Sequence, residues 1–327
     1  MPRFVIDTDT AGDDVTSLLM GLRWPGVDVE AITVAAGNVE LDMCVRNALY
    51  TAEMAGRTDV PVFAGAAKPL ARDLVTAHYV HGEDGMGNSD FPPPTKLPEE
   101  LFAPRAIVEI AARFPGELEI VAQAPLTNIA LALREDPELP HKIKRLWIMG
   151  GANNFVGNIT PAAEFNFYVD PEAAKEVLAA GFEVTLVPWD VCINDATLTR
   201  DELKPIIAMG SPLSEFYLSV NQAVWEFVKR EHGVDGISHP DAVMIAMAID
   251  HSVILGSQRC FVDVETDSPL TRGYSLVDKL NVMQRSVDHG VKVTDLMDLG
   301  SGEANADVVL SADEKRFTEM LIEVLRP

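Results

Sequence analysis

The chain has 327 residues, 47% of them apolar, and carries a formal charge of −24 at pH 7. This apolar share supports a sizeable core and excludes global disorder, while the length allows one large domain or two smaller ones. The acidity works against nucleic acid and anionic membranes as partners, because both call for basic patches, but it leaves a small uncharged substrate open.

Taken in chain order, "RFVID" (3–7) is a strand candidate and "DDVTSLLMGLRW" (13–24) the helix behind it. "VEAITVAAGN" (29–38) is a second strand, followed by the helix "DMCVRNALYTAEMAG" (42–56) and a short third strand, "VPVFAG". Residues 76–100 are rich in Gly, Pro and charge and long for a connection, which marks a functional lid or a mobile connector. "LEIVAQAP" (118–125) and "RLWIMGGA" (145–152) read as strands around the helix "LTNIALALRE". In "DPEAAKEVLAAG" Asp170 is placed to cap a helix, with Pro171 at its first position. "EVTLVPWDV" (183–191) is the next strand, and residues 197–250 look helical with a Gly-rich break at "EHGVDGISHP". The tail predicts strands within "FVDVETDSPLTRGYSLVD" and a final helix in "SADEKRFTEMLIEVLRP". Apolar strands alternating with helices indicate a doubly wound α/β fold, with a mostly parallel sheet covered on both faces. No linker or repeat interrupts it, so a single domain over 1–327 is expected, with a helical insertion and a C-terminal strand/helix extension.

Three widely separated cysteines, Cys44, Cys192 and Cys260, form neither a disulfide framework nor a zinc spacing; reduced thiols and a cytoplasmic location are expected. The opening "MPRFVIDTD" meets acid too early for a signal peptide, and no apolar stretch is long enough for a membrane span.

The most informative stretch is "VIDTDTAGDD", which with Asp14 places Asp7, Asp9, Asp13 and Asp14 within eight residues. Repulsion on that scale needs a cation or protons to offset it. An EF-hand fails, since the position needing a bidentate Glu is Leu18. A haloacid-dehalogenase-type magnesium phosphohydrolase would use Asp7 as nucleophile and Asp9 as acid/base, but no convincing second acidic pair follows. A calcium site at the C-terminal edge of a parallel sheet suits a tight strand-to-helix turn, with Gly12 permitting the turn. Helix capping by Asp13 or Asp14 accounts for one carboxylate, not four.

The series continues through "AAGN", "VHGEDG", "APLTNIALAL", "MGGA", "GNITPAAEFNFYVDPEAA", "PWDV", "PDAV" and "LTRG". In this order the motifs resemble those of the inosine-uridine-preferring nucleoside hydrolases over nearly the whole chain, the "AEFN" and "DPEAA" block being the most specific part. The resemblance implies calcium-dependent hydrolysis of the N-glycosidic bond of nucleosides to ribose and free base. By position it implies Asp9, Asp14, Asp241 and the backbone carbonyl of Gln123 as Ca²⁺ ligands, with Asp9 also the general base on a Ca²⁺-bound water and Asp7 orienting the metal carboxylates. Asp13 and Asn166 would hold the ribose diol with Asn38 in support, Glu164 and Asn158 would hold O5′, and Met149 and Phe165 would lie against the substrate. A homodimer or homotetramer is implied as well. A nucleoside- or sugar-binding homologue without catalysis is the non-enzymatic alternative.

One position departs from the pattern. Many family members carry a His directly before the third metal Asp, where it protonates the departing base; here Pro240 stands there. His232 and His239 are then the candidate acids, His81 a contact to sugar or base, and Trp189, Trp225 and Phe167 candidate stacking partners for a purine.

Overall fold

In the computed structural model, which describes residues 1–283 and 302–327, a nine-stranded sheet forms the centre of the molecule. Its strands are β1 (Arg3–Thr8), β2 (Asp28–Val34), β3 (Val62–Ala64), β4 (Leu118–Ala122), β5 (Arg145–Met149), β6 (Val184–Val187), β9 (Ile254–Val264), β10 (Ser275–Asp278) and β11 (Ala306–Ala312). A separate antiparallel pair joins β7 (Thr197–Thr199) to β8 (Gly236–Ser238). The order across the sheet is β10-β9-β11-β6-β5-β4-β1-β2-β3. From β3 to β11 the strands run parallel, and β9 and β10 add an antiparallel edge.

Period-two side-chain alternation explains why β1 reads as apolar throughout. Phe4 and Ile6 join the core on one face, Val5 the core on the other, and all three are fully buried. The chain moves outward from β1 to β3 and then returns to lay β4 on the other side of β1. That reversal opens a crevice at the C-terminal ends of β1 and β4, where open α/β sheets bind their ligands.

The expected elements fall in place with a few shifts. β2 ends at Val34, four residues short of the apolar run, because the backbone then turns toward the crevice. "PWDV" is not strand: β6 stops at Val187, and Pro188 leads into the helix Trp189–Asp195. The supposedly all-helical region contains the β7/β8 pair. Asp170 caps its helix as expected, accepting the Ala173 amide at 3.1 Å. Among the described elements that the sequence reading lacks are the helix Ala103–Arg113 and the strand β11.

Two helices bring carboxylates to the crevice, α1 (Gly12–Arg23) and the helix Pro240–Ile249. The second is apolar nearly all round and buried among its neighbours, as a core helix should be. Their close approach depends on Gly21, where an added Cβ would lie 2.7 Å from Ile245 Cδ1 and 2.9 Å from Ile6 Cδ1. Both are ends of flexible side chains, so Ala fits with adjustment. Gly21→Val should lower stability by about 1–3 kcal/mol through overpacking, read as a lower urea midpoint. An unchanged midpoint would refute close packing at this position.

Candidate active site

The loop leaving β1 turns Asp9, Asp13 and Asp14 into the crevice, and all three are buried. Asp13 and Asp14 lie in the first turn of α1, Asp241 in that of the helix Pro240–Ile249, so two helix N-termini point at one spot. One carboxylate oxygen each from Asp13, Asp14 and Asp241 lie within 4.8 Å of one another.

Each carboxylate is held by named donors. Asp14 Oδ1 accepts from Thr8 Oγ1 (2.6 Å) and Gln123 Nε2 (3.0 Å); its Oδ2 accepts from the Ala11 amide (3.1 Å) and Asn38 Nδ2 (3.0 Å). Asp9 Oδ2 accepts from the Asn38 amide at 2.7 Å, whereas its Oδ1 is buried with no partner. Gly37 makes this possible, since a Cβ there would lie 2.1 Å from Asp9 Oδ2. The Gln123 side chain is fixed by Ser17 Oγ at 2.6 Å, and its carbonyl accepts Asn166 Nδ2 at 3.2 Å.

Burial is the largest influence on every one of these acids, and it raises them all. It lifts Asp7, Asp13 and Glu164 to about 7, and Asp9 and Asp241 well above the usual carboxylate range, with the neighbouring carboxylates adding to the rise. The donor set is all oxygen, lies out of water, and includes an unpartnered carboxylate oxygen. It fits a hard divalent cation; among the described residues no thiol or imidazole belongs to the cluster.

Asp13 and Asp241 line a cleft of about 710 Å³, with Asp9 and Asp14 fully buried next to them. Of the residues expected to bind substrate, Asp13, Asn38, His81, Met149, Asn158, Glu164, Phe165 and Asn166 all line it, as do Gln123 and Asp241. Asn166 Nδ2 also donates to the Met149 carbonyl at 3.1 Å. Glu164 Oε1 accepts the Asn166 amide, and Oε2 those of Gly151 and Phe167, so three backbone donors fix this carboxylate. The roof comes from the helix Gln222–Glu231, through Val224, Phe227 and Val228, and from the short helix His78–His81, through Tyr79 and Val80. Phe227 and Tyr79 meet edge to face, 5.9 Å between ring centres. The start of the 76–100 segment, through Ala77, Tyr79, Val80 and His81, therefore forms part of the cleft wall. Asp84 ties it together by accepting the amides of Met86, Asn88 and Asp90.

Asp13, expected on ribose, lines the cleft and also lies close to Asp14 and Asp241, with Asp9 beside them. Other expected residues stand in surroundings the sequence did not indicate. Asp7 bonds Thr33 and Asn128, not the other carboxylates, so it ties β1 to β2 and to the helix Thr127–Glu135. It is fully buried, and the hydrogen bonds from Thr33 and Asn128 both go to its Oδ1. Gly12 is needed for space rather than for the turn: a Cβ there would come within 2.9 Å of Val224 Cγ2 and His81 Nδ1. His239 lies behind the cleft with both ring nitrogens engaged, by Tyr217 Oη (2.6 Å) and the Ala196 carbonyl (3.1 Å), so it has no proton to offer a base. Trp189 reaches the cleft. Trp225 instead bonds Asp235, and Phe167 packs in the core against Gly150 and Gly151.

His232 sits exposed at the cleft rim. His81 is buried in its wall, with Nδ1 unpartnered and 3.9 Å from Asp13 Oδ1, and burial lowers it to about 4, so it is neutral. The sequence reading missed Thr8, Ser17 and the Gln123 side chain. Thr8 and Gln123 hold Asp14 and Ser17 holds Gln123, and nothing in their local pattern marks those roles.

The family profile described as "inosine-uridine preferring nucleoside hydrolase" matches residues 4–319. The pyrimidine-specific ribonucleoside hydrolase RihA of Salmonella newport is 35% identical over 323 residues, covering 98% of this chain and 97% of its own. Among solved structures, the plant nucleoside hydrolase PpNRh1 superposes with a TM-score of 0.90 at 31% identity, with 99% and 98% of the two chains covered. An inosine-guanosine nucleoside hydrolase does so at 0.88 and 30%, with 99% of each covered.

The raised carboxylates set a pH dependence. Without a cation, the folded state binds more protons than the unfolded chain between the ordinary carboxylate range and about pH 7, so stability falls as pH rises through that window. Ion-stripped protein should lose melting temperature from pH 5 to pH 8, and a divalent cation should restore it mainly at pH 8. A flat or rising profile for the stripped protein would contradict this reading.

Proposed function

The chain belongs to the inosine-uridine preferring nucleoside hydrolase family and is a hydrolase of N-glycosyl bonds, and we propose that it cleaves ribonucleosides with calcium in the aspartate cluster and Asp9 as general base. The observation that carries the proposal is the asymmetry of Asp9. Its Oδ2 is anchored on the Asn38 amide, while Oδ1 is buried, unpartnered and next to the other carboxylates.

Asp9, Asp14, Asp241 and the Gln123 carbonyl would hold the ion. Calcium prefers carboxylate and carbonyl oxygens in large number, and when bound it acidifies a water and anchors the ribose diol. Asp9 Oδ1 takes the proton of the attacking water. Attack at C1′ passes through an oxocarbenium-like state, and the surrounding carboxylates oppose its positive charge. Asp13 and Asn166 hold the 2′ and 3′ hydroxyls, Asn38 secures Asp9 and Asp14 beneath them, and Glu164 with Asn158 serves the 5′ end. Met149 and Phe165 pack against the sugar. At the base end His232 is the proton donor, His81 a neutral contact, and Trp189 an aromatic wall. A single catalytic domain acting in the cytoplasm as a homodimer or homotetramer, in nucleoside salvage, completes the proposal. The relatives' names differ on the base, one pyrimidine-specific and one inosine-guanosine, so they leave base preference open.

A panel of nucleosides and nucleotides, with and without chelator, tests the reaction by release of reducing sugar and phosphate. Ribose release that stops on chelation and returns with calcium is expected; phosphate release without ribose would sink the proposal. Asp9→Ala should lower kcat by about 10²–10⁴-fold, the range for loss of a general base. His232→Ala should slow purine or pyrimidine nucleosides far more than an activated nitrophenyl riboside. Equal loss on both substrates would remove His232 as acid.

A further inference from the structure

His239, which has no place in the reaction, lies two residues before Asp241 and is fully buried. Its backbone amide and Nδ1 both approach the Ala196 carbonyl, at 3.0 and 3.1 Å. A carbonyl only accepts, so Nδ1 carries the hydrogen. On the other side of the ring, Tyr217 Oη of the helix Pro212–Val220 is hydrogen-bonded to Nε2 at 2.6 Å. The His239 carbonyl accepts the Val243 amide at 3.1 Å and opens the helix that carries Asp241.

The Tyr217 helix has a second tie. Asn221, at its C-terminal end, donates from Nδ2 to Thr16 Oγ1 at 3.2 Å and to the Tyr217 carbonyl at 2.9 Å. Thr16 lies one turn along α1 from Asp13. One helix is thus hydrogen-bonded to both carboxylate-bearing helices within a turn of their acidic residues. The carboxylates at those two helix starts repel each other, and this crosspiece lies behind them.

The geometry points to His239 and Tyr217 as positioning residues that set the distance between Asp241 and the Asp13–Asp14 pair, and hence the affinity of the site for its cation. This rests on the proposed ligand role of Asp241. Full-length, ion-stripped protein is titrated with calcium by calorimetry, and its melting temperature is measured with and without the ion. Tyr217→Phe and His239→Leu should raise the calcium Kd about tenfold, equivalent to about 1.4 kcal/mol. His239→Gln, which keeps one donor and one acceptor, should stay within about threefold of the original Kd, on the reasoning that both hydrogen bonds survive. Melting temperatures that fall equally with and without calcium, at unchanged Kd, would reduce the pair to ordinary packing and overturn the inference. If His239→Leu does not fold, Tyr217→Phe and His239→Gln decide. Asp241→Asn separates the two failures. If it binds calcium as the original chain does, or if that chain binds none, the ligand assignment falls and this inference with it. If it loses calcium while Tyr217→Phe does not, only the positioning role is wrong.

Discussion

Everything in the crevice answers to one constraint, the cost of holding four carboxylates out of water and close together. Desolvation is the larger part of that cost for each acid, and mutual repulsion adds to it. The fold supplies partial relief through fixed dipoles: two helix N-termini, the amides of Ala11 and Asn38, and the side chains of Thr8, Asn38 and Gln123. These donors leave specific oxygens unmet, Asp9 Oδ1 among them. A site built this way is preorganised for positive charge, whether that charge is an ion or develops on a sugar during bond cleavage.

Much of this was legible in the chain because it is local. The alternation of Phe4, Val5 and Ile6 between two cores follows from strand geometry alone, and Asp170 with Pro171 announces its helix. Asp9, Asp13 and Asp14 lie close together in the strand-to-helix connection after β1 and the first turn of α1, so their convergence could be inferred without any distant partner. What escaped depends on distant contacts. Nothing near His239 shows that Tyr217 and Ala196 occupy its ring, and nothing near Trp225 shows that Asp235 takes its indole. "PWDV" has strand-like composition, but Pro188 ends the strand and starts a helix; β11 pairs with β6 and β9, which no local window reveals.

The cleft also divides its labour by height. Its floor is polar and rigid, with Glu164 and Asn166 locked by backbone hydrogen bonds and Asn38 serving two acids at once. Its roof is apolar and aromatic, carried by two helices that touch through Phe227 and Tyr79. A polar floor reads hydroxyl positions strictly, because a misplaced hydroxyl leaves buried groups unpaired, whereas an apolar roof discriminates weakly by shape.

The carboxylates converge from the turn after β1 and the start of α1, and from the helix Pro240–Ile249, more than two hundred residues further along the chain. No contiguous fragment contains the whole site. A nascent chain that has folded only its first half presents Asp9, Asp13 and Asp14 without Asp241, an acidic turn with no defined partner. Loop closure between such distant segments is the slow, entropically costly step in folding. The convergence of Asp241 on Asp13 and Asp14 thus reports that the chain has folded through the helix Pro240–Ile249, which makes the finished cluster a marker of maturity.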